Sequence, residues 1–146
     1  MREEKIKRMK AKTMHQTKNT KAKPNLVERW KRYVIAGNHS LIADDLRAAA
    51  LQYELARQCA ETLFNKWAES SEAVSALVVT YHNIADLHRK QGNAEAIKHY
   101  LQAVHTIVLR ALASTPIEHN RHGALLNGSK RTYSALVSFN KCGVYS

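Results

Sequence analysis

Residues 49–56 read AALQYELA and residues 96–103 read AIKHYLQA, so alanine, tyrosine and alanine recur at the same spacing. Offsets of four and three residues place these three side chains on one face of an α-helix. A neighbouring helix can approach closely at each alanine, while the ring fills the space between them. The recurrence predicts two helical hairpins that share one packing signature. The signature residues are Ala49, Tyr53, Ala56, Ala96, Tyr100 and Ala103.

Apolar residues with helical spacing continue on both sides of the two signatures. Short polar groups that suit helix ends and caps interrupt this pattern, such as Asp44-Asp45 and Gln91-Gly92-Asn93. Gly128 weakens the last predicted helix, because glycine is a poor helix former. The sequence therefore predicts an all-α fold of about five helices arranged as antiparallel hairpins. The helices are expected at about residues 26–41, 45–67, 72–90, 94–113 and 122–140.

The basic charge of the chain is concentrated at its N-terminus. The formal net charge is +11, but residues 1–32 hold 12 Lys and Arg against three Glu, a net of +9. The stretch up to Pro24 has no apolar period and is rich in lysine. We therefore expect a disordered basic arm, while the charge of the remaining body is close to neutral.

Three segments follow from these patterns. They are a basic arm at residues 1–25, a helical domain at residues 26–140 and a C-terminal tail at residues 141–146. Translation from Met9 or Met14 would shorten the arm. The sequence leaves open whether residues 1–13 belong to the native protein.

Membrane, metal and catalytic functions find little support in the sequence. No run approaches the roughly 18 consecutive apolar residues that a membrane-spanning helix needs. Cys59 and Cys142 provide neither a disulfide framework nor a metal-ligand spacing, which favours a reducing, cytoplasmic setting. His82 and His88 are six residues apart on one predicted helix and therefore face different sides of it. Phosphate loops and nucleophile elbows are absent, so we expect no metal, no cofactor and no enzymatic activity.

The segment from Tyr81 to Ala103 resembles a tetratricopeptide repeat. In that family an aromatic-x-x-Leu-Gly/Ala stretch leads to a Gly-Asp or Gly-Asn turn, and an Ala-x-x-x-Phe/Tyr-x-x-Ala helix follows. The matching parts here are residues 81–87, Lys90-Gln91-Gly92-Asn93 and residues 96–103. The segment between turn and helix is one residue short, and the two signatures lie 47 residues apart, whereas family repeats recur at about 34. The resemblance implies a divergent, non-tandem α–α superhelix.

Residues from about Trp30 to Phe139 also resemble a small family of gammaproteobacterial proteins, found chiefly in Vibrio and its relatives. The stretches that carry this likeness are His82-Asn83-Ile84-Ala85-Asp86, Gln91-Gly92-Asn93 and Lys98-x-Tyr100-Leu101-Gln102-Ala103. The likeness implies a bacterial protein but no activity, because the function of that family is unassigned.

The tetratricopeptide resemblance implies a groove lined by the first helix of each hairpin. Asn38 and Asn83 match two asparagines of the clamp by which some such repeats hold a peptide C-terminus, although Val34 replaces the lysine of that clamp. A solvated helix face is the alternative explanation for the same polar positions. The partner-binding residues implied by the resemblance are Lys31, Val34, Asn38, Val79, His82, Asn83, Asp86, Arg89 and Lys90.

These observations favour a non-enzymatic adaptor that binds a peptide or a partner helix. The alternative is a nucleic-acid-associated protein that acts through its basic arm by counterion release. Residues 1–29 contain no aromatic residue for base stacking, so the arm supports only non-specific attraction. The same arm has almost no apolar anchors for a membrane surface. A third hypothesis is a homodimer formed through leftover apolar helix faces.

Overall fold

The protein is described here by a computed structural model that covers residues 25–66 and 70–145. The described residues form five helices and no strand, which confirms the predicted all-α class. The predicted arm lies outside these ranges except for Asn25, as does Trp67, where the second helix was expected to end. The helices are α1 (Leu26–Ile42), α2 (Leu46–Lys66), α3 (Ser70–Lys90), α4 (Ala94–Ala113) and α5 (Arg121–Tyr145).

The same three-residue turn closes both hairpins, α1–α2 and α3–α4. Its second residue adopts the left-handed conformation, with φ of 61° at Asp44 and 70° at Gly92. Aspartate is one of the few side chains that tolerate this conformation, so it can stand where the second turn has glycine. The third residue caps the next helix, because the Oδ1 atoms of Asp45 and Asn93 each accept a backbone N–H at 3.1 Å. The expected cap at Asp44-Asp45 is confirmed, with Asp45 as the capping residue, but the acidic first turn expected from the same pair is wrong, because α2 begins only after both residues.

The matching turns fix a repeat of 48 residues, from position 44 to position 92, rather than the 47 that separates the signatures. Each of the four backbone hydrogen bonds around the first turn has a counterpart around the second at this offset, and the second turn has one more, from the N–H of Gln91 to the oxygen of His88. Counted from the turns, Tyr53 corresponds to Leu101 and not to Tyr100. The prediction that both tyrosines occupy the same position is therefore wrong. One residue fewer between turn and signature rotates Tyr100 by about 100° around the axis of α4.

Inside the first hairpin, the ring of Tyr53 lies directly on the backbone of Gly37. A Cβ atom at residue 37 would lie 2.4 Å from Cε1 and 2.5 Å from Cδ1 of that ring. Tyr53 is only 1% exposed, and its hydroxyl donates a hydrogen bond to Oδ1 of Asn38 at 2.6 Å. Ala49 and Ala56 are fully buried on the same face of α2. The first signature therefore has the packing role that its spacing predicts.

The second hairpin fills the equivalent position with a different pair of side chains. Ala85 of α3 stands where the first hairpin has glycine, and Leu101 of α4 stands where it has tyrosine. Both are buried and belong to one apolar cluster with Ile97. An added methyl group on one helix is thus matched by a smaller side chain on the other, the kind of exchange that cores tolerate best.

Helix α3 is central, because it packs against all four other helices. It is joined to α1 by a hydrogen bond from Nε1 of Trp30 to Oγ1 of the buried Thr80 at 2.6 Å. Tyr100 packs against α3 from α4, with its ring stacked on His88 and edge-on to Tyr81. Half-buried there, Tyr100 contacts all three apolar clusters of the core rather than the interior of one hairpin. Ala96 and Ala103, the flanking residues of its signature, are likewise only half-buried.

Helix α5 covers one side of α3 and α4 and is longer than predicted. It continues to Tyr145, so the expected tail at residues 141–146 is helical up to its penultimate residue. Phe139, one residue before the expected end, packs into the apolar cluster of Ala85. Gly128 does not interrupt α5 but lets it pack closely on α3, because a Cβ atom at residue 128 would lie 2.6 Å from Cγ1 of Val74.

Replacing Gly37 by alanine should lower the free energy of unfolding by about 1–3 kcal/mol. The new methyl group would meet the buried Tyr53 ring at 2.4 Å. Gly123→Ala is the matched control, because a Cβ atom at that helical glycine meets nothing within 4 Å. This control should gain about 0.5–1 kcal/mol from helix propensity. Urea unfolding followed by circular dichroism measures both changes.

A double-mutant cycle separates the close contact from a general loss of helix stability. Adding Tyr53→Leu to Gly37→Ala copies the Ala85–Leu101 pair of the second hairpin, so the penalty of the alanine should then largely disappear. An equal penalty with and without Tyr53→Leu would show that the ring does not limit the approach of α1 and α2.

Candidate functional site

An open groove of about 1070 Å³ lies between the C-terminal half of α3, the first turns of α4 and the C-terminal half of α5. Exposed side chains of both charges form its rim, namely Asp86, Arg89, Glu95 and Lys98. Its floor is apolar and comes from all three helices, through Ala85, Ile97, Leu101, Ala135 and Phe139. The groove therefore offers apolar burial with charges of both signs at its edge.

Three residues of the groove floor correspond to Tyr53 and to two residues near it in the first hairpin. At the 48-residue offset, Gly37, Ala49 and Tyr53 correspond to Ala85, Ile97 and Leu101. Leu101 has no hydroxyl group, so the hydrogen bond between Tyr53 and Asn38 has no counterpart here. Asp86, which corresponds to Asn38, instead forms an ion pair with Arg89 at 2.8 Å on the rim. The groove thus lies where the second hairpin lacks the tyrosine ring and the hydrogen bond that join α1 and α2 in the first hairpin.

Three of the nine residues predicted to bind a partner line this groove, namely His82, Asp86 and Arg89. Val79 and Asn83 lie half-buried on α3 and are not part of its lining. Lys90 is exposed, and its Nζ donates a hydrogen bond to the backbone oxygen of Leu41 at 3.2 Å, which joins the ends of α3 and α1.

The predicted residues on α1 do not reach the groove, because α1 packs against α2 and α3 but not against α4 or α5. Val34 is 8% exposed and forms part of the core. Asn38 accepts the hydroxyl proton of Tyr53. Lys31 is exposed on the surface of α1. The structure therefore gives Val34 and Asn38 packing roles and does not bring the α1 and α3 sets into one site.

His82 stands in the wall of the groove with an unusual environment. Its Nε2 atom is buried and has no hydrogen-bond partner among the described residues. Burial lowers the pKa of His82, the guanidinium of Arg131 on α5 lowers it further, and Asp86 opposes both effects. A neutral imidazole beside the groove can donate one hydrogen bond to a ligand or accept one from it, according to its tautomer.

Sequence reasoning missed the contributions of α4 and α5 to this site. The resemblance assigned partner contacts to the first helix of each hairpin, whereas Glu95 and Lys98 belong to the second helix of a hairpin. The sequence did hold a signal for α5, because four residues recur there at offsets of three, four and seven. They are Ala135, Ser138, Phe139 and Cys142, and all four line the groove.

Fold and site together define an all-α protein of two helical hairpins, covered on one side by a fifth helix and open at a groove. Residues 28–142 match the family described as "Protein of unknown function (DUF2753)", and the chain belongs to that family. The matched range contains every residue of the groove. No curated protein and no solved structure matches the chain. The tetratricopeptide and gammaproteobacterial resemblances stay predictions.

Within the part of the chain that the structure describes, no helix is both long and apolar enough to cross a membrane. The same residues include no group of three His, Cys, Asp or Glu side chains placed to hold a metal ion.

Stability should fall as pH decreases from 7.5 to 5, and His82 should account for part of that loss. The unfolded chain binds a proton at His82 near pH 6.5, whereas burial lowers the pKa in the folded state. The contribution of the neutral His82 to the free energy of unfolding is thus fully present above about pH 6.5. It is lost as pH falls through the pKa of His82 in the folded state. His82→Asn should flatten this dependence in urea unfolding, with the lowered pKa of the partly buried His105 providing a remainder.

Asn83→Ser, at a neighbouring position that does not titrate, is the control and should keep the wild-type dependence on pH. If His82→Asn leaves the dependence unchanged as well, His82 is not held neutral by the fold.

Proposed function

We propose that this protein is a non-enzymatic adaptor that binds a peptide or short helix of a partner protein in the groove between α3, α4 and α5. The observation that carries the proposal is an apolar floor of buried and half-buried side chains bordered by exposed charges of both signs. Protein interfaces combine an apolar centre with a polar rim in the same way.

The open shape of the groove supports a peptide better than a small molecule. Small-molecule sites are mostly enclosed clefts of about 300–1,000 Å³ that bury most of the ligand. This groove, at about 1070 Å³, is open along three helices. A helix or extended segment could place apolar side chains on the floor while its ends remain in solvent.

Packing and an ion pair hold the floor and the rim of the groove in place before a partner binds. Ala85, Ile97 and Leu101 form one buried cluster, and Phe139 of α5 packs against it. The ion pair between Asp86 and Arg89 orients two rim charges on α3. A pre-formed site loses less conformational entropy on binding, so a modest apolar contact can give useful affinity.

Several parts of this proposal rest on the sequence rather than on the groove. Membership of the tetratricopeptide class, a bacterial origin and a cytoplasmic location are proposed together with the adaptor role. The peptide C-terminal clamp is not part of the proposal, because Asn38 is bonded to Tyr53.

A photo-crosslinking residue at a groove position should capture the partner. Ser138 is exposed in the groove, and Ala50 is exposed on α2, which contacts neither α4 nor α5. The full-length protein with p-benzoylphenylalanine in place of Ser138 should give a discrete cross-linked species in host lysate. The same group in place of Ala50 should give none. Equal yields from both positions would contradict a groove-specific partner.

Charge reversal and arm deletion then separate the adaptor from the nucleic-acid alternative. Arg89→Glu should reduce the Ser138 cross-link by about tenfold, if the rim contributes to binding as interface charges do. Deletion of residues 1–24 keeps Asn25, whose Oδ1 caps α1 by accepting the N–H of Glu28 at 2.9 Å. An adaptor keeps its cross-link after this deletion. A nucleic-acid-associated protein instead loses salt-sensitive binding to DNA or RNA.

A further inference from the structure

An exposed face of α5, next to the exposed side of α4, carries large apolar side chains. Leu126 is 39% exposed and Tyr133 is 61% exposed, and they lie seven residues apart on the same side of the helix. The ring of Tyr133 also lies beside that of His105 on α4, with centroids 6.2 Å apart. One turn further along α4, Leu109 is 43% exposed. An apolar strip therefore runs along the outer side of α4 and α5.

This outer strip has the spacing of a helix-packing seam. Leu126, Lys130, Tyr133, Val137 and Lys141 follow one another at intervals of four, three, four and four residues. At a rise of 1.5 Å per residue the seam is about 22 Å long, enough for four turns of a partner helix. The last helix of a stacked array normally presents a polar outer face. The exposed Leu126 and Tyr133 of α5 are departures from that rule.

The charge of α5 identifies the kind of partner. The helix carries Arg121, Lys130, Arg131 and Lys141, and no acidic residue follows Glu118 in the chain. Lys130 and Lys141 are exposed and flank Tyr133 along the seam. Apolar side chains flanked only by cations are complementary to apolar side chains flanked by carboxylates.

We propose that Leu109, Leu126, Lys130, Tyr133, Val137 and Lys141 form a second protein-binding surface, which takes an acidic amphipathic helix of a partner protein. A second copy of α5 fits this surface poorly, because its lysines would face lysines. Nucleic acid fits less well, because Tyr133 is the only base-stacking group among these six residues and Leu109, Leu126 and Val137 offer none. The exposed tyrosine beside a lysine is the type of anchor that dominates protein interfaces.

The surface is distinct from the groove. The groove residues of α5 include Ala135, Ser138 and Phe139, which lie on a different face of the helix from Leu126 and Tyr133. A variant of one surface can therefore be tested without altering the other. The proposal does not depend on the adaptor role of the groove.

A synthetic helix tests the proposal directly. The probe is a fluorescein-labelled 18-residue amphipathic peptide with leucines along one face and glutamates beside them. A second peptide has lysines in place of the glutamates. Fluorescence anisotropy with the full-length protein should show binding of the glutamate peptide and at least tenfold weaker binding of the lysine peptide.

Three variants distinguish the outer face of α5 from attraction by the basic arm. Tyr133→Ser and Lys130→Glu should each weaken binding of the glutamate peptide at least tenfold. Ile35→Ser is the matched control, because Ile35 is 54% exposed on α1, and it should leave the affinity unchanged. Affinity that is insensitive to Tyr133→Ser would place the peptide on another part of the chain and overturn the proposal, as would no binding of the glutamate peptide.

Nucleic acid and a second copy of this chain, the two other possible occupants of the face, are each detected by a separate measurement. If a dT20 oligonucleotide binds and Tyr133→Ser weakens it as much as it weakens the peptide, the face is a nucleic-acid surface. If sedimentation shows a dimer that Leu126→Ser dissociates, the face is occupied by a second copy. Either result would overturn the assignment to an acidic partner helix.

Discussion

The contact between the ring of Tyr53 and the backbone of Gly37 is the constraint on which the rest of the structure depends. A methyl group at residue 37 would meet the ring at 2.4 Å, so α1 and α2 approach this closely only because that residue is glycine. The same ring packs against Ile84 and Leu87 of α3. One side chain thus fixes the first hairpin and holds it on the central helix, which in turn packs against α4 and α5.

The second hairpin keeps the turn geometry of the first but not its ring contact, and the groove follows from that difference. Leu101 replaces the aromatic ring, and Ala85 replaces the glycine. The cluster that they form with Ile97 is covered by α5 on one side, through Phe139 and its neighbours. Asp86, the counterpart of Asn38, faces solvent and pairs with Arg89 instead of a tyrosine hydroxyl. A repeated frame with unequal side chains therefore explains why the groove borders the second described hairpin and not the first.

Local signals made the helices predictable, whereas contacts between helices decided what the sequence could not reveal. Caps such as Asp45 and Asn93 act within one turn of chain, so they are visible in the sequence. The offset of 48 rather than 47 residues depends on turn geometry, and it moved Tyr100 away from the position predicted for it. Gly128 reads as a helix breaker until its approach to Val74 is known. The groove was predicted on α1 and α3, and its α4 and α5 contributions were missed because they depend on how the helices pack.

Proton–proton contacts measured by nuclear Overhauser spectroscopy test the central claim most directly. The claim is that the two hairpins are equivalent at an offset of 48 residues, with Gly37–Tyr53 in one and Ala85–Leu101 in the other. It predicts cross-peaks from the α protons of Gly37 to the ring of Tyr53 and from the methyl of Ala85 to the methyls of Leu101. A spectrum in which both pairs are silent would contradict the account.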